Sequence, residues 1–346
     1  MMDVRCRAST SPVMRSLLVT IAFAIEPSAR PEDVAPDPKT PHIGAVTALA
    51  TLGPRLLACS QAGVFEHSGA KGGTTGEREH ASRLVASAGD RAIAIAAFAS
   101  HDGPRLLVAG GRPGRVGTVS LFACTPHDDR DDDVSAGARP MVEREVGGDV
   151  IYALALTPDG QRAALASADG RVRLVSTRTF ETLRELARHT AAARDVVIAP
   201  DGQTLASAGL DGLVILVALR DEASAPAKRL AEHTAGVEAI AFSPDSTRIA
   251  SGARDGKVRL HATNGRFLRT WAPLGDEVWS LAWSPDGTTL HAGLANGDVV
   301  ELSLEPDREV LRREKTPGGV RAIIAREHEL IVAAHDRVLR IAAAKR

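Results

Sequence analysis

Two sets of side chains have the composition of a hydrolytic triad. They are His189, Ser207 and Asp211, and His233, Ser251 and Asp255. In a hydrolase, such side chains serve as base, nucleophile and orienting acid. Here the second set repeats the first one repeat further along the chain, and a catalytic site would not be needed once per repeat. A buried hydrogen-bond network, in contrast, can stabilise every repeat by about 1 kcal/mol per bond. We therefore predict a structural role for both sets.

Two further segments suggest chemistry and are better explained as loops. The acidic run at 128–133 lacks the spacing and the closing Glu of a calcium loop, so it is typical of a solvated loop. The Gly-rich stretch 68–77 places Lys71 before its glycines, whereas a phosphate-binding loop places Lys after them. Neither His-Glu-x-x-His nor Cys-x-x-Cys occurs. We expect no cofactor and no bound metal.

A repeat organises the elements that carry these residues. Four copies align on Pro158, Pro200, Pro244 and Pro285, at intervals of 42, 44 and 41 residues. From each proline to the Asp or Asn of a later turn the offset is always 11 residues. A fixed offset within a variable period indicates a rigid hairpin joined by adjustable loops.

Each copy can be interpreted as four strands. Short apolar runs such as 237–242 are bounded by Pro-Asp-Gly turns, as buried strands are. The Asp-Gly or Asn-Gly pair that follows is a strong signal for a tight hairpin. A more polar fourth strand, such as 266–271, completes the unit.

The copy aligned on Pro244 resembles the WD-repeat consensus most closely. It contains His233-Thr234, Val237, "AFSPD", "IASGARDG" and "VRL". The resemblance is strong over 149–304, and weaker copies occur at 46–67, 93–123 and 320–343. Four clear and three weak copies imply an all-β, seven-bladed propeller. No copy carries the Trp-Asp dipeptide, and His261 and Val217 stand where the family has Trp.

The last copy has only three strands, which would leave an exposed sheet edge. In WD-repeat propellers the N-terminus usually supplies the missing strand, and 17–25 is apolar enough for it. We therefore predict one propeller domain over 14–346, preceded by a disordered extension at 1–13. The alternative is a secretory signal beginning at Met14, which would place the protein outside the cytoplasm.

The resemblance also implies which residues line the top of the ring. The residue after the first Val of each innermost strand is one such position: Thr47, Ala94, Tyr152, Arg194, Glu238, Trp279 and Arg321. The residue before the tight turn is the other: Ala168, Leu210, Arg254, Ala295 and His335. Tyr, Trp and Arg dominate binding hot spots. We expect a partner to contact Tyr152, Arg194, Glu238, Arg254, Trp279 and Arg321, although Tyr152 and Trp279 could instead plug the channel.

Composition narrows the class of partner. Lys plus Arg is 42 and Asp plus Glu is 43, so the chain lacks the basic field needed to bind nucleic acid or an anionic membrane. Three cysteines at no metal-like spacing favour the cytoplasm. We predict a non-catalytic scaffold that binds a protein or peptide partner, an acidic one. The alternatives are a lactonase-like propeller enzyme, or a structural subunit that docks by its sides and by loops 68–77 and 125–140. The sequence leaves the oligomeric state open.

Overall fold

The computed structural model describes residues 46–52, 55–60, 63–67, 82–86, 92–100, 103–123, 140–220, 227–230, 233–305, 309–335 and 337–342. The predicted extension 1–13, the strand at 17–25, loop 68–77 and nearly all of loop 125–140 lie outside them. The described part contains strands and no helix, and so it offers no helix that could span a membrane.

The strands form seven antiparallel sheets, numbered here as blades 1 to 7. Blades 1 and 2 contain β1 (Val46–Leu52), β2 (Arg55–Ser60), β3 (Gly63–His67), β4 (Ser82–Ala86), β5 (Ala92–Ser100), β6 (Gly103–Arg112), β7 (Val116–Ala123) and β8 (Val142–Glu145). Blades 3 and 4 contain β9 (Ile151–Leu156), β10 (Arg162–Ser167), β11 (Arg171–Ser176), β12 (Thr182–Arg188), β13 (Ala193–Ile198), β14 (Thr204–Gly209), β15 (Val214–Ala218) and β16 (Lys228–Leu230).

The remaining strands belong to blades 5, 6 and 7. Blades 5 and 6 contain β17 (Val237–Phe242), β18 (Arg248–Ala253), β19 (Val258–Ala262), β20 (Phe267–Trp271), β21 (Val278–Trp283), β22 (Thr289–Leu294), β23 (Asp298–Ser303) and β24 (Val310–Lys315). Blade 7 contains β25 (Val320–Ala325), β26 (Glu329–Ala334) and β27 (Arg337–Ala342).

The blades are arranged as a closed ring. Strands pair in chain order within every sheet, and the first strand of each blade packs against the first strand of the next. β25 packs against β1, and the Val46 amide donates a hydrogen bond of 2.9 Å to the His335 carbonyl. An apolar cluster shared by blades 1 and 7 lies beneath this contact. The prediction of a seven-bladed propeller is confirmed.

Two turns fix the shape of each blade. In blade 3, the Asp159 carboxylate accepts hydrogen bonds from the Thr157 hydroxyl and the Gln161 amide, which closes the Pro-Asp-Gly turn. The tight turn beyond it places Gly170 at a φ of 79°, a conformation that glycine adopts without steric cost. A Cβ at Gly170 would also lie 2.6 Å from the His189 carbonyl oxygen. The fixed offset in the sequence therefore reflects one rigid hairpin in each blade.

Tryptophans fill the space between blades 5 and 6. Trp271 is fully buried at the end of β20, and its indole N–H donates to the Ser303 carbonyl at 3.2 Å. Trp283, at the end of β21, donates to the Ala241 carbonyl of blade 5 at 3.1 Å. Both indoles are covered by arginines, Arg269 and Arg248 respectively. These side chains tie adjacent blades together.

Candidate binding site at the channel mouth

The innermost strand of every blade contains a β-bulge close to its first residue. The extra residues are Thr47, Ile93, Tyr152, Arg194, Glu238, Trp279 and Arg321. A bulge leaves its residue out of the ladder and re-aims the side chain. Bulge residues of neighbouring blades contact one another, so they lie at the same end of the channel. We call these seven residues the mouth ring.

The prediction of Ala94 as the mouth residue of blade 2 is wrong. The register of β5 with β6 skips Ile93, while Ala94 pairs with Ala109 and is fully buried. The run Ala92-Ile93-Ala94-Ile95 is apolar throughout, so the alternation of side chains cannot reveal its register. Ile93 therefore supplies an apolar member of the ring.

A shared carboxylate organises the side of the ring formed by blades 3 to 5. Glu238 is 1% exposed and accepts hydrogen bonds from Arg194 Nε at 2.9 Å and from Arg254 Nε at 2.5 Å. The Arg194 guanidinium is also buried and lies 4.5 Å from the centroid of the Tyr152 ring. Arg254 keeps 35% of its side chain exposed. The buried Arg194 and Glu238 thus fix the positions of Arg254 and Tyr152, and the side chains of these last two residues reach solvent.

A clamped tryptophan occupies the side formed by blades 6 and 7. The Trp279 indole N–H donates to Glu277 Oε2 at 2.9 Å, and the Arg321 guanidinium lies 3.8 Å from a ring centroid of the indole. A Cβ at Gly319 would lie only 2.4 Å from the indole edge, so this position must be glycine. Burial, and then the charge of Arg194, lower the pKa of Arg321 to about 10. Trp279 is therefore held in one orientation and remains partly exposed.

A second buried carboxylate supports the ring from below, and sequence reasoning missed it. Asp195 accepts hydrogen bonds from the Val196 amide at 2.7 Å and from the Ile240 amide of blade 5 at 2.8 Å. Burial raises its pKa to about 8. Five other blades have Ala at this strand position and blade 6 has Ser280. A charged residue at the aligned position of blade 4 was therefore the feature of the sequence that could have revealed this carboxylate.

The mouth carries a surplus of positive charge. Three arginines, Arg194, Arg254 and Arg321, face two carboxylates, Glu238 and Glu277, which leaves a net charge of +1. The second predicted set of mouth residues lies beside the ring: Ala168, Leu210 and Ala295 are half-buried, and His335 is exposed. The ring therefore offers aromatic faces and guanidinium groups to an incoming ligand.

The structure brings both Ser-His-Asp sets together inside blades 4 and 5. His189 lies 3.0 Å from Asp211 and 2.9 Å from Ser207. In blade 5, the corresponding distances from His233 are 3.1 Å to Asp255 and 2.9 Å to Ser251. Each Asp also accepts a hydrogen bond from the backbone amide after its His. Both histidines are buried within their blades.

These histidines make stability depend on pH. Burial lowers the pKa of His189 and of His233 in the folded protein. In the unfolded chain both histidines have the ordinary pKa of about 6.5, so below this pH the unfolded chain binds more protons than the folded protein does. The contribution of these histidines to stability therefore falls as the pH falls through that value, by up to about 1 kcal/mol per histidine between pH 7.5 and 5.5, whereas Asp195, whose pKa is raised to about 8, contributes in the opposite direction. Urea unfolding at the two pH values measures the loss.

A His189→Asn, His233→Asn double variant should lose this contribution, so its stability should fall less, or rise more, than that of the parent as the pH falls from 7.5 to 5.5. His328→Asn, which removes a side chain that is 93% exposed, should retain it. An unchanged dependence in the double variant would show that other groups take up the protons.

No three His, Cys, Asp or Glu residues in the described ranges are grouped so that they could hold a metal ion. His261, which stands at the family's Trp position, is buried and packs edge-on against Phe267 with 5.4 Å between ring centroids. An imidazole there fills part of the volume that an indole would occupy.

Comparison with known proteins gives one family and one fold. The repeat family described as "WD domain, G-beta repeat" matches residues 180–216, 224–261 and 265–300. A solved structure, "Crystal structure of WD40 beta propeller domain of Doa1", superposes with a TM-score of 0.68 at 15% identity, covering 88% of this chain and 95% of that one. No curated protein matches the sequence. The chain is therefore a seven-bladed β-propeller that contains WD repeats, and these repeats lack the Trp-Asp dipeptide.

Proposed function

We propose that the chain is a non-catalytic scaffold that binds an acidic peptide or loop of a partner protein at the mouth ring. WD-repeat propellers are generally protein-interaction scaffolds. The observation that carries the specific proposal is the placement of Arg254, Tyr152, Trp279 and Arg321 around one opening, all reaching solvent. Large aromatic and guanidinium side chains held in fixed positions bind with little entropic cost.

The electrostatics of the mouth favour an anionic group. Arg194 and Arg321 belong to blades 4 and 7, and the charge of Arg194 lowers the pKa of Arg321 after the larger effect of burial. Like charges held this close repel, and a carboxylate from a partner would offset that repulsion. Arg254 uses only its Nε to bind Glu238, so its other guanidinium N–H groups can donate hydrogen bonds to the partner's carboxylate.

The test is affinity capture of the tagged protein from its native cells, followed by mass spectrometry. The parent should retain a partner that a Trp279→Ala, Arg254→Ala variant loses. A matched control is Phe267→Ala, Arg171→Ala, because it removes an exposed aromatic and an arginine of similar exposure from strands other than the innermost ones that carry the mouth ring.

An acidic peptide from the captured partner should then bind the purified parent at least tenfold more tightly than the double variant, measured by calorimetry. Binding that survives in the folded double variant would exclude the mouth ring as the site. Loss of the partner in the Phe267→Ala, Arg171→Ala control alone would move the interface to the outer strands.

We also propose a cytoplasmic location. The Cys59 thiol is fully buried, and burial raises its pKa to about 12, so it acts as a small apolar side chain. Fractionation of cells that express the tagged protein should recover it with the cytoplasmic fraction, and recovery outside the cell membrane would contradict this location.

A further inference from the structure

A cleft of about 620 Å³ opens between blades 6 and 7, on the side of the ring. Its wall from blade 6 includes His291, Glu301 and Arg312, and its wall from blade 7 includes Arg326, Leu330 and Ile341. Small-molecule sites in proteins typically have volumes of about 300–1,000 Å³. None of the mouth-ring residues lines this cleft.

Blade 7 has a small side chain at a position where the two preceding blades have a large one. The last residue of the innermost strand is Phe242 in blade 5 and Trp283 in blade 6, but Ala325 in blade 7. Trp283 reaches back to blade 5 and packs beneath Arg248. The residue that corresponds to Arg248 in blade 6 is Thr289, which lines the cleft. Trp283 and Arg248 fill the space between blades 5 and 6, whereas their counterparts between blades 6 and 7, Ala325 and Thr289, are small.

The side chains facing this space depart from the repeat. In blades 3, 4 and 5 one cross-strand pair is Ala opposite Leu: Ala164 with Leu174, Ala206 with Leu216, and Ala250 with Leu260. The same pair in blade 6 is His291 opposite Glu301.

This exchange replaces an apolar pair with two polar side chains. His291 is 5% exposed and Glu301 is half-buried, and taking such groups out of water costs free energy that Ala and Leu avoid. Local departures that weaken a repeat are expected at functional sites. The pair is therefore a candidate binding element.

The charges lining the cleft favour a cation. Four carboxylates, on Asp286, Glu301, Glu314 and Glu327, face two arginines, which gives a net charge of −2 with neutral histidines. Both arginines have internal partners. Arg312 donates to Glu314 at 2.6 Å and to the Ala342 carbonyl at 2.7 Å, and Arg326 pairs with Glu329 at 3.2 Å.

Glu301 differs from the other acids in this respect. Although Arg312 lies opposite it in the ladder, no ion pair of Glu301 occurs among the described residues.

We propose that this cleft binds an organic cation, an amine or guanidinium group, with Glu301 as its counter-ion and the His291 ring as part of its wall. The cation comes either as a free small molecule or as a Lys or Arg side chain of a bound peptide. The site is separate from the mouth ring, so it does not depend on the function proposed for that ring.

Calorimetry on the full chain tests the proposal with two cationic probes, agmatine and the peptide acetyl-Gly-Arg-Gly-amide, and with succinate as an anionic control. Binding of agmatine identifies a free small molecule as a sufficient ligand, and binding of the peptide alone identifies a partner's side chain as the source. Saturable binding of either, without binding of succinate, supports the site. If neither cation binds, or if succinate binds equally well, the proposal is wrong.

Variants locate the bound probe. Glu301→Gln should weaken binding at least tenfold, and Ala325→Trp should abolish it by filling the cleft. Glu185→Gln, on the outer strand of blade 3, removes the same charge elsewhere and should leave binding unchanged.

A double variant separates binding from a structural role. His291→Ala, Glu301→Leu restores the pair found in three other blades, so it should lose binding while its thermal midpoint stays the same or rises. A lower thermal midpoint, or retained binding, would overturn the proposal.

Discussion

Replacement of Glu238 by Ala is expected to lower the free energy of unfolding by about 3–5 kcal/mol, because it breaks a buried ion pair on one side only. Glu238 and its partner Arg194 are 1% and 3% exposed, so the arginine would stay buried without its carboxylate. Arg254 would lose its anchor as well. Urea unfolding at neutral pH measures the change.

The matched control is Glu185→Ala, which breaks the Arg171–Glu185 pair on the outer strands of blade 3. Both of its side chains are 40% exposed, so the loss should remain below about 1 kcal/mol. Equal losses in the two variants would mean that water reaches Glu238 and that the mouth is looser than the structure indicates.

Replacement of Trp271 by Ala is expected to cost about 3–5 kcal/mol as well, through the cavity left in a packed core. The side chain is fully buried, its N–H donates to the Ser303 carbonyl, and Arg269 lies 4.9 Å from its ring. Its loss would therefore weaken the packing between blades 5 and 6. Thermal unfolding together with urea unfolding measures the effect.

Phe267 provides the control for Trp271, because it is an aromatic residue on the same strand and is 56% exposed. Phe267→Ala should cost well under half as much. Trp271→Phe should lose chiefly the hydrogen bond, about 1 kcal/mol. A large effect of Phe267→Ala with a small effect of Trp271→Ala would reverse this account of the interface between blades 5 and 6.

The fold could be predicted because its signals are local. The step of 11 residues from proline to turn is contained in one hairpin, and the glycine of the tight turn has to adopt a positive φ. The register of blade 2 could not be predicted, since Ile93 and Ala94 are both apolar and a shift of one residue leaves the pattern intact. A bulge is visible in a sequence only where it re-aims a distinctive side chain such as Trp279.

The candidate site could be predicted as a set of positions but not as a set of contacts. Alignment of repeats placed Arg194, Glu238 and Arg254 at one opening. It could not show that one carboxylate holds both arginines, because the pairing depends on the angle between two blades and on which side chain is buried. The cleft beside blade 7 was detectable in principle, since His291 and Glu301 replace Ala and Leu in an otherwise regular alignment.

The seven bulges separate the residues of the mouth from the residues that pack between the blades along each innermost strand. The residue at the bulge leaves the ladder, whereas the residues after it pack into the core between blades. Thr47, Ile93, Tyr152, Glu238 and Trp279 show that this position accepts polar, apolar, aromatic and charged side chains on one scaffold. Selection can therefore change the ligand by exchanging the half-exposed mouth residues, such as Tyr152 and Trp279, whereas the buried pair of Arg194 and Glu238 has to be kept or exchanged together.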